Sequence, residues 1–440
     1  MQPLEPCAAA AAAPEKTLAH PKAVNVALGT GPAVRGRLRD ELSEAINEVR
    51  MLKLGSNLTS FAAPASLLLP FSSLELIVFG ASFAVAEFAN AVRHTDAAVR
   101  MLHVLASQIT ALSQTLTAAM MKPYNPIIGE VLTAQSESEA VSSSSSGGSS
   151  SMWRIISEQV SHHPPITATA MEGQADGGGS FFSVGNTACT PVFCGNYIKV
   201  AMSTDSMIKL TLPSGGMMEE YVIASLPSLY LRGVLGMGPQ FCEWGGKMRI
   251  ECACTGLVGS IDFKTTGLFG SGQRHRIKGS VGAVSQHRGK TANFYTISGA
   301  WNTRVVATRV GSTEEMELLR TPDGETERSA ERRELPPVLP YTMPSYSLAW
   351  PRHSRQVWKD LNEAIANEEW ALARAAKSKV EDGRRAEEAQ MQNAGEKWEP
   401  AFFVETTSAA NVGKEKIWCV REGAFARAFN AEGPPPCRNM

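Results

Sequence analysis

The pattern of hydrophobic and polar positions changes its period near residue 129. Before that point, apolar residues recur at helical spacing over 37–54, 72–92 and 96–121. Asp96 stands where an N-cap is expected for the third of these helices. After residue 129 the apolar residues alternate in short runs, as they do in antiparallel sheets and barrels. The pattern therefore predicts an α+β fold that is mainly β, with helices preceding the strands.

The predicted strands are short and are separated by glycine, serine and proline. They cover residues 152–160, 166–171, 197–202, 207–212, 221–224, 247–252, 260–264, 275–284, 293–300 and 304–310. The charged and then proline-rich stretch 312–340 is interpreted as a linker-like crossing. Residues 354–392 have helical periodicity, and the chain loses its pattern after residue 411. A helical segment is therefore expected near the C-terminus, followed by a loose end.

The composition is that of a globular protein, with 43% hydrophobic and 19% charged residues. The net charge of −1 gives no general attraction to nucleic acid or to anionic bilayers, so any anion recognition must be local. The longest strongly apolar run, 76–86, lies between Glu75 and Glu87. It is shorter than the roughly 20 residues that cross a bilayer. Only peripheral membrane contact is therefore expected, and no nucleic-acid partner.

The eight cysteines are scattered without the spacing of a disulfide framework and are interpreted as reduced intracellular thiols. Cys252 and Cys254 share a strand face, but no second pair of ligands accompanies them. The sequence therefore predicts neither a metal site nor a cofactor. The alanine-rich N-terminus lacks a basic region and is interpreted as a disordered leader rather than a signal peptide.

The segment 158–165, Glu-Gln-Val-Ser-His-His-Pro-Pro, is the most informative in the chain. Pro164 and Pro165 are expected to end the preceding strand, since neither offers a backbone N–H. At such a break the adjacent rings of His162 and His163 can both reach one ligand, which regular strand geometry forbids. Imidazoles donate hydrogen bonds and become charged near neutral pH, which suits an anion with several oxygens. Taken alone, such a pair is more often structural than functional.

Two further segments carry candidate chemistry. Residues 122–130 place Lys122 and Asn125 on a connector stiffened by two prolines. Lys377, Glu381 and Arg385 follow one another at i, i+4 and i+8, so they form one stripe of a helix. From the residues alone, the first is a solvated lysine on a turn and the second is surface stabilisation.

These three segments together resemble the oxysterol-binding-protein-related family of lipid transfer proteins. Residues 158–165 match its signature residue for residue, and 122–130 resemble its Lys-Pro-x-Asn-Pro-x-x-Gly-Glu motif. Weaker similarities at 193–196, 299–302 and 354–360 extend the resemblance over roughly 55–404. The resemblance implies that the head group of phosphatidylinositol 4-phosphate is bound by Lys122, Asn125, His162, His163, Lys377, Glu381 and Arg385. Gly383 departs from the helix-forming residue that is usual within the third segment.

The resemblance also implies an architecture, a large antiparallel β-barrel that encloses a lipid tunnel. The expected parts are a disordered leader (1–34), a lipid-binding domain (35–405) and a tail (406–440). Within the domain we expect a lid (35–70), helices (71–121), the barrel (122–311) and a C-terminal helical part (312–405). The chain is similar to the short members of the family that consist of the lipid-binding domain alone.

The function implied is intracellular lipid transfer, without catalytic residues. A monomer in the cytoplasm, transiently bound at organelle membranes, would carry phosphatidylinositol 4-phosphate or a sterol in one tunnel and exchange them between membranes. The alternatives are a lipid sensor or phosphoinositide-regulated scaffold without net transport, and exchange with phosphatidylserine in place of a sterol. A hydrolase using His162 or His163 as a base would need an activated nucleophile, and none accompanies the histidines in the sequence.

Overall fold

The structure is a computed structural model that describes residues 52–59, 65, 68–115, 122–136, 152–213, 216–235, 241–267, 272–284, 291–320, 341–406 and 417–430. Its helices are α1 (Ser73–Arg93), α2 (Ala97–Thr115), α3 (Ser354–Val357), α4 (Lys359–Ala366), α5 (Trp370–Asn393) and α6 (Ala424–Ala428). Its strands are β1 (Leu68–Ser72), β2 (Lys122–Tyr124), β3 (Val131–Gln135), β4 (Met152–His162), β5 (Pro165–Gln174), β6 (Ser180–Phe193), β7 (Tyr197–Thr211), β8 (Met218–Ser225), β9 (Ser228–Arg232), β10 (Phe241–Cys252), β11 (Leu257–Phe263), β12 (Arg276–Val284), β13 (Thr291–Ala300), β14 (Arg304–Arg309), β15 (Glu315–Arg320), β16 (Phe403–Thr406) and β17 (Ile417–Val420).

One antiparallel sheet of 13 strands dominates the fold. Its hydrogen-bonded order runs from β15 through β14, β13, β12, β11, β10, β8, β7, β6, β5 and β4 to β3, while β9 pairs with both β10 and β7. Most neighbours are consecutive in the chain, so the sheet is a meander built from hairpins. The predicted mainly β architecture with a large antiparallel sheet is confirmed.

Strand β10 shows why these segments are strands. Met248, Ile250 and Cys252 point inward and are buried, whereas Lys247 is exposed and Arg249 partly so. Because successive side chains of a strand point to opposite faces, this alternation gives the sheet one apolar and one polar face. The apolar face is the one that packs against the helices.

Helices α1 and α2 pack against each other and lie on the apolar face of the sheet. Helix α1 contacts β3 to β7, and α2 contacts β11, β12 and β15. Since the pair touches strands at both edges, the sheet must curve around it. Leu74 and Phe88 of α1, with Met101 and Leu105 of α2, are among the fully buried residues of this main core.

A buried ion pair fixes α2 to the sheet. The guanidinium of Arg100 donates to both carboxylate oxygens of Glu219 on β8, at 2.8 and 2.5 Å. The hydroxyl of Tyr221 donates to the same carboxylate at 2.7 Å. Burial opposes ionisation of Glu219, but the hydrogen bonds from Arg100 and Tyr221 leave its pKa below its ordinary value.

Of the three helices predicted before the sheet, the second and third are confirmed, whereas 37–51 of the first lie outside the described residues and 52–54 are not helical. Helix α1 begins and ends within one residue of the predicted bounds, and Asp96 caps α2 by accepting a hydrogen bond from Ala98 N at 2.7 Å. Helix α2 is described as far as Thr115, and residues 116–121 lie outside the described residues. The segments 197–202 and 207–212 were predicted as separate strands but are one strand, β7.

The helical structure expected over 354–392 is confirmed, as the three helices α3, α4 and α5. Two expectations about connecting segments were wrong. The linker-like stretch 312–340 contains β15, which pairs with β14. The tail contains β17 and α6, and β17 pairs with β16, so the chain folds back onto itself there. Phe402 and Phe403 are fully buried beside Phe425 of α6, which places them inside a core rather than at an end.

The predicted lid lies mostly outside the described residues, since 1–51 are not described. Residues 68–70, at the end of the predicted lid, belong to β1, which pairs in parallel with β2. Earlier, Gly55 N and Leu58 N donate to the carbonyls of Phe193 and Pro191 at 2.8 Å, so 52–59 dock at the end of β6. The boundaries of leader, lid and domain stay predictions.

Among the described residues, α1 is the helix that has the length and apolar composition to cross a membrane. It contains the stretch 76–86 that the sequence singled out as too short to span. Of its most apolar window, 61% is buried inside the fold, as in the core helix of a globular protein.

Replacing Glu219 by alanine should destabilise the protein by about 3 to 5 kcal/mol, because it leaves the buried Arg100 charge without its partner. The matched control is Glu220→Ala on the same strand, whose side chain is 45% exposed and pairs with Lys209 at 3.6 Å. That change should cost less than about 1 kcal/mol. Denaturant unfolding of both variants measures the difference, and equal losses would show that the Arg100 pair does not fix α2.

Candidate anion-binding site

The segments 122–130 and 158–165 are joined by a pair of backbone hydrogen bonds. Gly129 N donates to the carbonyl of Gln159, and Gln159 N donates to the carbonyl of Glu130, both at 2.9 Å. One residue further, Val131 N donates to the carbonyl of Arg352, just before α3, at 2.9 Å. Three segments far apart in the sequence therefore meet at the end of β4.

Two buried carboxylates hold this junction from inside. Glu130 accepts hydrogen bonds from the indole of Trp358 at 2.9 Å and from Ile127 N at 3.1 Å. Glu158 accepts from the backbone N–H groups of Ala401 and Phe402, at 2.7 and 2.9 Å. Burial raises the pKa of both carboxyl groups, that of Glu158 to about 7. These two glutamates are occupied by the fold, so they position the motifs rather than face a ligand.

The two histidines lie at the turn between β4 and β5. The strand ends at His162, as predicted from the prolines, and His162 pairs with Pro165 across the turn. The ring centroids of His162 and His163 are 4.9 Å apart with the rings nearly perpendicular. His162 is half-buried and His163 is exposed. Both rings are thus presented together at the mouth of a hairpin.

His162 has an unused polar atom. Its Nδ1 is buried and has no hydrogen-bond partner among the described residues. Burial lowers the pKa of His162, and the positive charges of Arg384 and Arg385 lower it further, while Glu388 acts in the opposite direction. The helix α5 therefore lies close enough to His162 to set its electrostatics.

Lys122, Lys377 and Glu381 form a second part of the same site. Lys377 Nζ lies 2.6 Å from Glu381 Oε1 along one face of α5. Burial lowers the pKa of Lys122 to about 8; the like charge of Lys377 lowers it further, and Glu381 opposes both. Lys122 at the start of β2 is therefore adjacent to the predicted stripe of α5.

The two neighbouring arginines of α5 have different environments. Arg385, the predicted site residue, is 69% exposed and pairs with Asp382 at 2.5 Å and with Glu381 at 3.8 Å. The side chain of Arg384 is 5% exposed, and its guanidinium lies 4.9 Å from the ring of Trp398. Its Nη1 donates to Glu387 at 2.7 Å. The helix therefore buries Arg384 and leaves Arg385 at the surface, paired with its own helix neighbours.

Sequence reasoning missed Arg384 and Trp398. Trp398 lies against Gly129, where an added Cβ would be 2.3 Å from the indole ring. Gly129 also has a positive φ of +77°, which other residues rarely adopt. The stack of Arg384 on Trp398 on Gly129 thus connects α5 to the segment 122–130. Arg384 follows Lys377 by seven residues, a helical repeat that places both on similar faces, and this spacing was the available signal.

Asn125 lies exposed on the connector that follows β2, three residues after Lys122. Its part in the site stays a prediction. Across the described residues, no group of three or more His, Cys, Asp or Glu side chains has the arrangement of a metal site. The cluster combines cations and an imidazole pair with carboxylate acceptors such as Glu381. That combination suits a ligand with phosphate oxygens and hydroxyl groups.

The family comparison agrees with the motifs. The sequence model of the oxysterol-binding protein family matches residues 47–428. A probable transporter named efuK from Hormonema carpetanum is 28% identical over 370 residues, which are 82% of this chain and 48% of that protein. Oxysterol-binding protein-related protein 10 of Homo sapiens is 26% identical over 84% of this chain and 47% of its own length. The chain thus spans about half the length of these two relatives.

Oxysterol-binding protein-related protein 4A of Arabidopsis thaliana is 26% identical, and there the match covers 82% of this chain and 84% of the relative. Among solved structures, the Osh1 ORD domain in complex with ergosterol has a TM-score of 0.64, 22% identity and 86% coverage of both chains. The Osh3 ORD in complex with PI(4)P, from Saccharomyces cerevisiae, has a TM-score of 0.61, 20% identity and coverage of 90% and 94%. At these identities the likeness shows the fold.

Gly129→Ala tests the stack. We expect the new Cβ to displace Trp398, and with it Arg384, so binding of a soluble phosphorylated inositol should weaken by about tenfold. The matched control is Gly177→Ala, which has a similar φ of +83° but nothing within 4 Å of the added Cβ. Both variants should lose about 1 kcal/mol of stability from backbone strain, and only Gly129→Ala should lose affinity in titration calorimetry. Equal affinities would show that the stack does not shape the site.

Proposed function

The chain belongs to the oxysterol-binding protein family, and on that premise we propose that it transfers lipids by binding phosphatidylinositol 4-phosphate at the cluster around Lys122, His162 and Lys377. The family and the fold are those of lipid-binding and lipid-transfer domains. Solved ORD domains hold ergosterol or cholesterol in Osh1 and PI(4)P in Osh3. These ligand classes support the assignment of both lipids to this chain.

The observation that carries the proposal is the convergence of three distant segments on one cationic cluster. Lys122 lies beside Lys377 and Glu381, and His162 lies beside Arg384. Hydrogen bonds to charged groups contribute about 1.5 to 3 kcal/mol each, so a few of them around one phosphate are enough to select a head group. Lys122 is a partly desolvated cation close to the like charge of Lys377, and a bound phosphate would add negative charge beside both.

The second ligand in the proposal is a sterol, with phosphatidylserine as the alternative. The two lipids would use the same apolar interior, so binding of one must weaken binding of the other by the same factor. A gradient of the phosphoinositide then drives the second lipid in the opposite direction. We place this exchange in the cytoplasm, at transient peripheral contacts between a monomer and organelle membranes. No bond is broken, and no residue is assigned a catalytic role.

Replacing both His162 and His163 by alanine should weaken binding of phosphatidylinositol 4-phosphate by about tenfold or more, since a loss of about 1.4 kcal/mol already gives that factor. Uptake of a fluorescent sterol should survive. The control is His94→Ala, which removes an exposed histidine that stacks on His103; the adjacent Arg93 pairs with Asp176 in the β5–β6 turn, at the other end of β5. If the double variant loses both ligands equally at an unchanged melting temperature, the histidines have no head-group-specific role.

Exchange itself is measured between liposomes. With phosphatidylinositol 4-phosphate only in the acceptor vesicles, the native chain should deliver sterol faster than without it, and the double histidine variant should show no acceleration. Acceleration that persists in the variant, or one protein occupied by both lipids in native mass spectrometry, contradicts exchange. If the protein binds both lipids but transfers neither between liposomes, the alternative function of a lipid sensor without net transport is favoured.

The lowered pKa of Lys122 predicts a pH dependence of binding. A phosphate binds the protonated amine, so affinity should be level near pH 7 and fall as the pH rises through about 8, by about tenfold per pH unit at most. Lys122→Arg keeps its charge at these pH values and should abolish the fall. The control Lys379→Arg changes a lysine whose side chain is 79% exposed, and its affinity should still fall with rising pH as in the native protein. The measurement is head-group affinity from pH 7 to 9.5 for the native protein and both variants. If the affinity of Lys122→Arg falls with pH as steeply as that of the native protein, another group is responsible for the pH dependence.

A further inference from the structure

The hairpin between β10 and β11 carries a pair of thiols that the proposed function does not use. The sulfur atoms of Cys252 and Cys254 are 3.3 Å apart. Cys252 ends β10 and is 1% exposed, whereas Cys254 is exposed in the turn. Both are free thiols. One residue of the pair is therefore reachable from solvent, and the other lies directly behind it.

The turn holds the two sulfurs on one side of the hairpin. Cys252 pairs with Leu257 in the ladder, so the turn contains four residues. Thr255 Oγ1 donates to the carbonyl of Cys252, and Gly256 N donates to that of Ala253, both at 3.3 Å. A disulfide has a sulfur separation of about 2.05 Å, so closing the bond requires the sulfurs to approach by little more than about 1 Å.

The surroundings permit access on one side only. On the inner side, Cys252 belongs to the main core and lies near Tyr221. Cys254 is exposed in the turn, and its neighbours Thr255 and Leu257 line an open groove of about 510 Å³ together with Arg309 of β14. A small molecule can therefore reach Cys254 without opening the fold, whereas Cys252 is buried.

We propose that Cys252 and Cys254 form a reversible intramolecular disulfide by exchange with a low-molecular-weight disulfide such as oxidised glutathione. The thiolate of Cys254 attacks one glutathione sulfur, the glutathione S–S bond breaks, and one reduced glutathione leaves. Cys252 then loses its proton to water and attacks the Cys254 sulfur, which releases the second glutathione. Two protein thiols are oxidised and one glutathione disulfide is reduced to two thiols, so atoms and electrons balance.

The pair is suited to switching rather than to stabilisation. The entropic stabilisation from a disulfide grows with the length of the loop that it closes, and only Ala253 separates these cysteines. Exposed and strained disulfides are also the labile, regulatory ones. Metal binding would need further ligands, and the described residues offer no group of three His, Cys, Asp or Glu that could hold a metal ion.

The site is independent of the head-group cluster. The β10–β11 turn lies at the opposite end of the sheet from the turn between β4 and β5, because alternate ends of the meander carry alternate turns. A failure of lipid binding therefore leaves this proposal untouched, and the reverse also holds.

A single tryptic peptide, residues 250–264, contains both cysteines and no other. The folded full-length protein is equilibrated in glutathione buffers of graded oxidised fraction, quenched with iodoacetamide and digested. We expect this peptide to lose two hydrogen atoms and to resist alkylation as the oxidised fraction rises, and dithiothreitol should reverse both changes. Because Cys254 is exposed, Cys254→Ser should keep the core intact and abolish the change. Cys252→Ser should accumulate a glutathione adduct on Cys254 instead.

Cys189→Ser is the matched control, since it removes an exposed cysteine of β6 and should leave the response of peptide 250–264 unchanged. The proposal is overturned if both cysteines are alkylated at every glutathione ratio. It is equally overturned if native protein keeps a glutathione adduct on Cys254 beside a free Cys252, or if the internal disulfide forms only in urea.

Discussion

The pair of backbone hydrogen bonds between Gly129, Gln159 and Glu130 is the constraint on which the candidate site depends. These hydrogen bonds fix the position of the connector that follows Lys122 relative to β4, the strand that ends at the histidines. Buried carboxylates reinforce it, because Glu130 binds Trp358 and Glu158 binds the backbone at Ala401 and Phe402. Removing either glutamate would leave buried N–H groups without acceptors, which costs about 1 to 3 kcal/mol each. The motif residues are thus divided between those that build the junction and those that face outward from it.

Much of the fold was predictable because its signals are local. Alternation in β10 and the helical stripes of α1 and α2 depend on neighbours in the sequence, and Asp96 caps α2 through a hydrogen bond to Ala98. Strand β15 and the return of β17 were missed because they are stabilised by partners far away in the chain, β14 and β16. The run Glu315–Arg320 alternates apolar and charged residues only over its first four positions and lies in a charged stretch, so its pairing partner decides its structure.

In the candidate site, the sequence pattern predicted which residues share a helix face but not which of them are buried. Lys377 and Glu381 lie together on α5 as their spacing predicts, and Lys122 lies beside them. Their role in head-group binding stays a prediction. Periodicity could not reveal that Arg384 would be the buried arginine, because that depends on Trp398, a residue beyond the end of the helix. Likewise, the need for glycine at position 129 comes from the approach of the same tryptophan. Tertiary contacts, invisible to local pattern, decide both.

Helix α5, which carries most of the cations of the candidate site, is attached to the fold at few points. Of its 24 residues only Ala373 and Arg384 are fully buried, so the helix is fastened near its start and by the Arg384–Trp398 stack. Lys377 and Glu381 lie between these two anchors. Lys377 and Glu381 pair with each other, and burial together with the like charge of Lys377 lowers the pKa of Lys122 to about 8. Under the proposed function, a phosphate would give Lys122 and Lys377 a direct anionic partner. Part of the affinity would then come from relieving the repulsion between these two cations, while the anchors limit how far the helix must move.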